Sequence, residues 1–224
     1  MEQQPAYDNA LPSFSVVSRA EDLFRIEDRH LNLCIWRRDV PSSLAQALVR
    51  AAAEQPLSLI REDWLSRIRL VDLVQQVKGL TPEQRSEWTT DIERLLQLFC
   101  EIVGCQRILL KLATTERTDC PVFHTDFVPM RMLCTYAGPG TEFIENQDVI
   151  RGSLGNNAGC SAQNANHRIL RTNGQILSVQ PFDVALCKGE MWPGNRGRGL
   201  VHRSPSLQPG SMPRIKLTVD SVIE

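Results

Sequence analysis

Apolar residues recur at intervals of three and four in the first half of the chain, which is the spacing of one face of an α-helix. A first helix is predicted to begin at a cap formed by Ser42 or Ser43. Its apolar stripe consists of Leu44, Ala47, Leu48 and Ala51. A second helix is predicted to begin at an Asp63 cap and to run towards Gly79. Its stripe consists of Trp64, Ile68, Val71 and Val74.

A third helix has the most complete local signature. Thr81 can cap it, Pro82 suits its first position, and Gln84 completes a capping box. Its apolar stripe consists of Trp88, Ile92, Leu95, Phe99 and Ile102. Because three short helices alone bury little surface, we expect these helices to pack on the outside of the following part of the chain.

After Gly104 the pattern changes to short runs in which apolar and polar residues alternate, which predicts β-strands. The runs are Cys105–Thr114, Pro121–Phe127, Met130–Tyr136, Ile176–Gln180, Val184–Cys187, Gly199–Arg203 and Arg214–Val219. Many short strands between Gly/Pro turns are typical of a β-sandwich or barrel. The chain therefore divides into a disordered arm (1–15), a helical part (16–104) and a β part (105–224), with the last two forming one compact unit.

The segment Arg151–Gly174 interrupts this β pattern, because it is rich in Asn and Gly and has almost no apolar periodicity. Long loops in compact domains are often lids over a site. A lid and a plain disordered insertion both fit this composition.

The composition and the N-terminal sequence give no sign of nucleic-acid binding, secretion or membrane insertion. The net charge is −1, with 42% hydrophobic and 23% charged residues, so no basic footprint for nucleic acid is present. The N-terminus has neither the basic nor the apolar region of a signal peptide, and the longest apolar runs are too short to span a bilayer. We therefore expect a cytoplasmic protein without a membrane partner, and seven mostly reduced cysteines.

One motif carries candidate chemistry. In Phe123-His124-Thr125-Asp126 the imidazole and the carboxylate are two residues apart, which on a strand places both on one face. A second histidine, His202, lies in a later short strand. Two histidines and one carboxylate form the facial triad that leaves positions open on non-haem Fe(II). Arg214, at the start of the last strand, offers a planar fork for a carboxylate such as that of 2-oxoglutarate.

This arrangement resembles the Fe(II)/2-oxoglutarate-dependent dioxygenase superfamily, in which the HxD motif, the distal histidine and the arginine lie on the second, seventh and eighth core strands. The chain also resembles the uncharacterised bacterial family called domain of unknown function 1826. The segments that carry this second resemblance are Cys120–Asp126, Thr135–Glu142, Gly189–Trp192 and Val201–Pro205.

These resemblances imply an α+β fold in which the N-terminal helices pack on a C-terminal double-stranded β-helix of the jelly-roll or cupin type. They also imply an oxygenase that holds Fe(II) through His124, Asp126 and His202 and binds 2-oxoglutarate through Arg214. Tyr136, Glu142 and Arg203 are candidates for the pocket of a substrate, small molecule or protein, that the resemblance does not name.

Several alternatives remain open at this point. Cys120 would share a strand face with His124 and Asp126, which would give a Cys/His/His zinc site. The chain would then be a non-catalytic zinc-binding or metal-homeostasis protein. The face of the last strand that carries Arg214 also carries Lys216, Thr218 and Asp220, and such a face can be a solvated sheet edge. A β-helix without metal, used only for protein interaction, is a third hypothesis.

Overall fold

The computed structural model describes residues 11–39, 42–75, 77–155 and 159–222, and within them ten β-strands form two sheets. The strands are β1 (Phe14–Val17), β2 (Leu33–Trp36), β3 (Ser58–Trp64), β4 (Arg107–Thr115), β5 (Met130–Ala137), β6 (Glu142–Ile144), β7 (Ile176–Ser178), β8 (Val184–Lys188), β9 (Val201–Arg203) and β10 (Arg214–Ser221). The larger sheet has the order β1-β2-β8-β5-β10-β4-β3 and the smaller has the order β7-β6-β9. Neighbouring strands are antiparallel, apart from the parallel pair of β1 and β2.

From β4 onwards the chain passes back and forth between the two sheets, with β6 and β7 following one another in the smaller sheet. β4, β5, β8 and β10 lie in the larger sheet, whereas β6, β7 and β9 form the smaller one, which is extended by a bridge between His124 and His202. Buried residues of both sheets form one apolar cluster between them, which includes Leu133 and Ala185 from the larger sheet and Phe143 from the smaller. Two facing sheets connected in this way are a double-stranded β-helix within a mixed α/β fold.

Four α-helices accompany the sheets in the described residues: α1 (Ser42–Glu54), α2 (Val71–Val74), α3 (Pro82–Val103) and α4 (Ala162–Ile169). The start of α3 is the predicted capping box. The Thr81 hydroxyl accepts from the Gln84 N–H at 3.3 Å, and the Gln84 side chain accepts from the Thr81 N–H at 3.0 Å. Gly104, with a φ of 68°, ends the helix in the left-handed conformation that glycine adopts without strain.

The main core lies between the helices and the outer face of the larger sheet. Buried residues of α1 and α3 belong to one apolar cluster with alternate residues of β4, β5, β8 and β10. Trp88 and Phe99 of α3 are fully buried in it. On β10 the same alternation directs Ile215 and Leu217 towards the helices and the intervening polar residues towards the smaller sheet.

The prediction of a second helix from Asp63 towards Gly79 is largely wrong. Ser58–Trp64 forms β3, which pairs antiparallel with β4, and only the short α2 follows. The Asp63 carboxylate accepts from the Trp64 N–H at 2.8 Å and caps no helix. Strand pairing with β4 extends as far as Trp64, and this tertiary interaction outweighs helix formation at the predicted start. Val71 and Val74, further along the predicted stripe, lie in α2.

The N-terminal boundaries also differ from the prediction. Residues 1–10 of the predicted arm lie outside the described residues, but Phe14 and Ser15 belong to β1, which pairs with β2. The part predicted as helical, 16–104, contains β2 and β3 as well as helices. These strands continue the larger sheet on both sides of its core strands, because β8 and β4 would otherwise present unpaired backbone groups at its edges.

The segment Arg151–Gly174 is an excursion from the sheets, and it contains the eight-residue helix α4, so the alternative of a plain disordered insertion is wrong for the described part; residues 156–158 lie outside it. The Ser161 hydroxyl accepts from the Asn164 N–H at 3.3 Å and caps α4. Ala165 and Ile169, four residues apart, are its buried apolar residues. Two apolar positions in so short a helix leave little periodicity to detect.

None of the helices in the described residues combines the length and the apolar character that crossing a membrane requires.

Candidate metal centre

His124 and Asp126 lie in an irregular segment between β4 and β5. The predicted strand Pro121–Phe127 is reduced to a single bridge, in which the backbone N–H groups of His124 and His202 each donate to the other residue's carbonyl at 3.0 Å. Pro121 has no N–H and so cannot donate a hydrogen bond to a neighbouring strand. The Asn166 side chain of α4 takes the place of a strand here: it donates to the Pro121 carbonyl at 2.8 Å and accepts from the Phe123 N–H at 2.8 Å.

The bridge brings three candidate ligands together. Nε2 of His202 lies 3.2 Å from Oδ2 of Asp126, and Nε2 of His124 lies 3.7 Å from Oδ1. One ligand atom from each residue can be chosen so that all three lie within 4.8 Å of one another. The three side chains that the sequence pattern grouped therefore lie together.

The backbone orients both imidazoles. Nδ1 of His124 is 2.9 Å from the Val122 carbonyl, and Nδ1 of His202 is 3.2 Å from the Leu200 carbonyl. Because a carbonyl only accepts, both contacts favour the tautomer with the proton on Nδ1. Nε2 is then the ring nitrogen that faces Asp126: it donates to the carboxylate when it carries a proton, and it can bind a metal when it does not.

Electrostatics favour a neutral imidazole beside an ionised carboxylate. Burial, together with the nearby His202, lowers the pKa of His124. Burial alone would raise the pKa of Asp126, but a protonated His202, which donates a hydrogen bond to the carboxylate, and the charge of Arg131 outweigh it and hold that pKa well below its usual range. A carboxylate with unprotonated imidazole nitrogen is the donor set that a divalent cation requires.

Arg131 of β5 is a site residue that the sequence interpretation missed. Its Nη1 donates to Oδ2 of Asp126 at 2.5 Å, while its Nε and Nη2 donate to the two carboxylate oxygens of Asp220 at 2.6 and 2.7 Å. Arg131 and Asp220 are register partners on β5 and β10. The available signal was a cation within the otherwise apolar run of β5, because a buried charge is normally paired.

Arg214 opens β10 and is 1% exposed. Its Nη2 makes long contacts of 3.5 and 3.4 Å with the hydroxyls of Thr135 and Thr141, and its buried Nε has no hydrogen-bond partner among the described residues. Burial lowers its pKa to about 10. β10 lies between β5 and β4, so the alternative that this face is a solvated sheet edge is wrong.

Two further predicted residues are paired with each other. Nε of Arg203 donates to Oε2 of Glu142 at 2.7 Å across the register of β9 and β6, and its guanidinium lies 4.4 Å from the Phe123 ring centroid. Arg203 lines a cavity beside the cluster, together with both histidines and Lys216. Cys120 also borders this cavity, but it is exposed and does not belong to the ligand cluster.

The prediction that Tyr136 faces the cavity is wrong. Tyr136 points to the opposite face of β5, where it is fully buried against Trp88 and Phe182. Its hydroxyl donates to Oδ2 of Asp91 at 2.7 Å. Residues on one strand alternate between faces, so Tyr136 cannot share the face of Arg131 and Thr135.

Asn166→Ala is expected to destabilise the protein by about 1–3 kcal/mol, because it leaves the buried Phe123 N–H without an acceptor. Asn164→Ala on the same helix is the matched control, since Asn164 is exposed and should change stability by less than about 0.5 kcal/mol. Urea unfolding of the metal-free variants measures both. Equal midpoints for the two variants would show that the Asn166 amide does not support the segment before His124.

One solved structure supports the fold assignment, and two further structures are similar at lower TM-scores. Dioxygenase for auxin oxidation 1 from Arabidopsis thaliana, solved with 2-oxoglutarate, is 9% identical over 96% of this chain and 93% of its own, with a TM-score of 0.52. A full-length protein from Neurospora crassa, solved in complex with alpha-KG, is 11% identical over 99% and 88% of the two chains, with a TM-score of 0.47. A Pseudomonas putida prolyl-4-hydroxylase is 11% identical over 92% and 98%, with a TM-score of 0.45. At such identities, the likeness to the Arabidopsis enzyme shows the fold alone.

No curated protein matches the sequence. Residues 18–220 match the family described as protein of unknown function (DUF1826). That match spans the four α-helices, the strands from β2 to β10 except the last residue of β10, and all three residues of the cluster. The chain is therefore a member of the DUF1826 family.

Proposed function

We propose that this protein is a non-haem Fe(II)- and 2-oxoglutarate-dependent oxygenase of unknown substrate. The observation that carries the proposal is the combination of two features: the His124, Asp126 and His202 cluster, and the buried Arg214. Both histidines line a cavity with Thr141, and Nη2 of Arg214 lies 3.4 Å from the Thr141 hydroxyl. The cluster fits a cation and Arg214 fits an anion.

The donor set fits iron. Two imidazole nitrogens and one carboxylate oxygen form a facial triad, which leaves coordination positions for other ligands. When bound, Fe(II) would supply the activation of O₂ and the oxidation of the substrate. The residues of this chain contribute orientation: the carbonyls of Val122 and Leu200 fix the two rings, and Arg131 fixes the carboxylate.

The charges around the cavity fit a carboxylate at Arg214. Arg131 is paired with two aspartates, Arg203 with Glu142, and Lys216 lies 3.8 Å from Asp119. Among the residues that the structure describes, Arg214 forms no ion pair and contacts only hydroxyls. A buried guanidinium with a free N–H is matched by the distal carboxylate of 2-oxoglutarate, which can accept from Nε and Nη2 together.

Packing holds the Arg214 side chain in place. A Cβ on Gly138 would lie 2.9 Å from Cγ of Arg214 and 2.9 Å from the Pro213 carbonyl, so the turn after β5 closes directly over the arginine stem. Gly138 also has a φ of 74°, which other residues rarely adopt. An arginine fixed in this way loses little conformational entropy when it binds a carboxylate.

The zinc hypothesis makes a different prediction about the same cluster. A structural zinc site is closed by four protein ligands, whereas a catalytic site keeps a position open. Cys120 is exposed and lies outside the cluster, and its backbone carbonyl is held by the Ser204 N–H at 3.0 Å. A fourth protein ligand from Cys120 would therefore require a rearrangement of the 118–122 segment.

Anaerobic titration calorimetry tests the proposal. Protein loaded with Fe(II) is expected to bind 2-oxoglutarate saturably, and metal-free protein is expected to bind it much more weakly, because the metal would supply part of the binding site. Zn²⁺ retention that is lost in Cys120→Ser, without 2-oxoglutarate binding at millimolar concentration, would instead favour the metal-holding function.

A further inference from the structure

Arg131 donates hydrogen bonds to two carboxylates, that of Asp220 on β10 and that of Asp126 outside the strands. Asp220 is 5% exposed and takes two of the guanidinium hydrogen bonds, at 2.6 and 2.7 Å. Asp126, in the irregular segment, takes one, at 2.5 Å on Oδ2. The Asp220 carboxylate makes no direct contact with His124 or His202 among the contacts found in the described residues.

Strand register explains why Asp220 is the fixed member of this set. Arg131 and Asp220 face each other on adjacent central strands of the larger sheet, so backbone hydrogen bonds hold both Cα positions. Asp126 lies outside the strands, between the isolated bridge at His124 and β5, and its backbone carbonyl accepts from the Glu190 N–H at 2.9 Å. Its carboxylate is held from the rigid sheet through Arg131.

We propose that Asp220 and Arg131 are positioning residues that fix Asp126 as a single-oxygen metal ligand. Asp220 holds the guanidinium so that Nη1 donates to Oδ2 of Asp126, and Oδ1 is the oxygen left free of Arg131 for a metal. The inference rests on the proposed metal-binding function. It adds an explanation of why the protein would supply three ligand atoms: Arg131 occupies one oxygen of Asp126, which leaves a single oxygen for the metal.

The charges of Arg131, Asp126 and Asp220 determine how strongly Asp126 is available to a metal. With Asp220 present, the guanidinium is shared between two carboxylates, and a cation can compete for Asp126. Without the Asp220 charge, Arg131 is left with Asp126 as its one ionised partner, and the two would pair more tightly at the expense of the metal. Asp220→Asn should therefore weaken metal binding although Asp220 donates no ligand atom.

The test uses Co²⁺ and Zn²⁺ alone as probes, with the full chain. Asp220→Asn is expected to weaken binding of both ions by roughly 10-fold or more, the range for outer partners of metal ligands. Arg131→Gln is expected to change the visible spectrum of bound Co²⁺, because the released carboxylate can bind through both oxygens. Glu62→Gln, which removes an exposed pair with Arg107 on the far sheet edge, is the matched control and should change neither value.

A double-mutant cycle separates positioning from a general structural effect. If Asp220 acts through Arg131, then Asp220→Asn should weaken metal binding by less than about threefold in the Arg131→Gln background. Unfolding of the metal-free variants is measured in parallel, and Arg131→Lys, which lacks the planar fork, replaces any variant that does not fold and should also alter the Co²⁺ spectrum.

The outcomes distinguish this inference from the proposed function. Metal binding by Asp220→Asn within twofold of wild type, or an equal loss in both backgrounds, would overturn the positioning role while leaving the metal site intact. Failure of the wild-type protein to bind either ion would overturn the metal site itself, and the positioning role with it.

Discussion

Asp126→Ala is expected to lower the affinity for Fe(II) by a factor of roughly 100 to 4,000, which corresponds to about 3–5 kcal/mol for removing one partner of a buried charged set. The change removes the one anionic member of the ligand cluster. It also leaves Arg131 as a cation near the two histidines, because Asp220 then becomes its sole carboxylate partner. Both effects oppose binding of a dication.

Competition against a chromophoric chelator under anaerobic conditions measures this loss. Asp119→Asn is the matched control, because Asp119 lies 3.8 Å from Lys216 at the same cavity and is not a member of the ligand cluster. It should keep the metal affinity of the wild-type protein. Equal affinities for Asp126→Ala and Asp119→Asn would mean that Fe(II) binds elsewhere.

Arg214→Ala is expected to weaken 2-oxoglutarate binding to the Fe(II)-loaded protein by roughly 30-fold or more. Truncating one partner of a buried, hydrogen-bonded charge pair costs about 2–5 kcal/mol, and each 1.4 kcal/mol is about tenfold. The guanidinium is 1% exposed, so water does not screen the lost interaction effectively. Metal affinity should barely change, because arginine has no lone pair to donate to a metal.

Two comparisons sharpen this expectation. Arg214→Lys keeps the charge but not the fork, and should recover only part of the 2-oxoglutarate affinity. Arg107→Gln removes an exposed arginine of the same sheet and should leave affinity unchanged. An unchanged 2-oxoglutarate affinity in Arg214→Ala would show that Arg214 does not bind the carboxylate of 2-oxoglutarate.

The sequence predicted best those features that depend on local chemistry. The α3 capping box uses two residues three positions apart, Thr81 and Gln84, and both of its hydrogen bonds form as expected. The spacing of His124 and Asp126 and the distant His202 also identified the cluster. That prediction succeeded although the expected strand is reduced to one bridge, because the bridge lies at His124 itself and joins it to His202.

The sequence failed where the third dimension decides. β5 is buried on both faces, so its apolar residues do not reveal which face meets the helices and which meets the cavity. Tyr136 was therefore assigned to the wrong face, and Arg131 was overlooked on the right one. Similarly, the strand Ser58–Trp64 exists because β4 offers it a partner, which the spacing of its own apolar residues does not show.

A crystal structure of protein grown anaerobically with Fe(II) and 2-oxoglutarate tests the central claim most directly. The account predicts one metal bound by Nε2 of His124, Nε2 of His202 and a carboxylate oxygen of Asp126, with 2-oxoglutarate on the metal and its distal carboxylate on Arg214. A metal closed by a fourth protein ligand such as Cys120, with no 2-oxoglutarate beside Arg214, would contradict it.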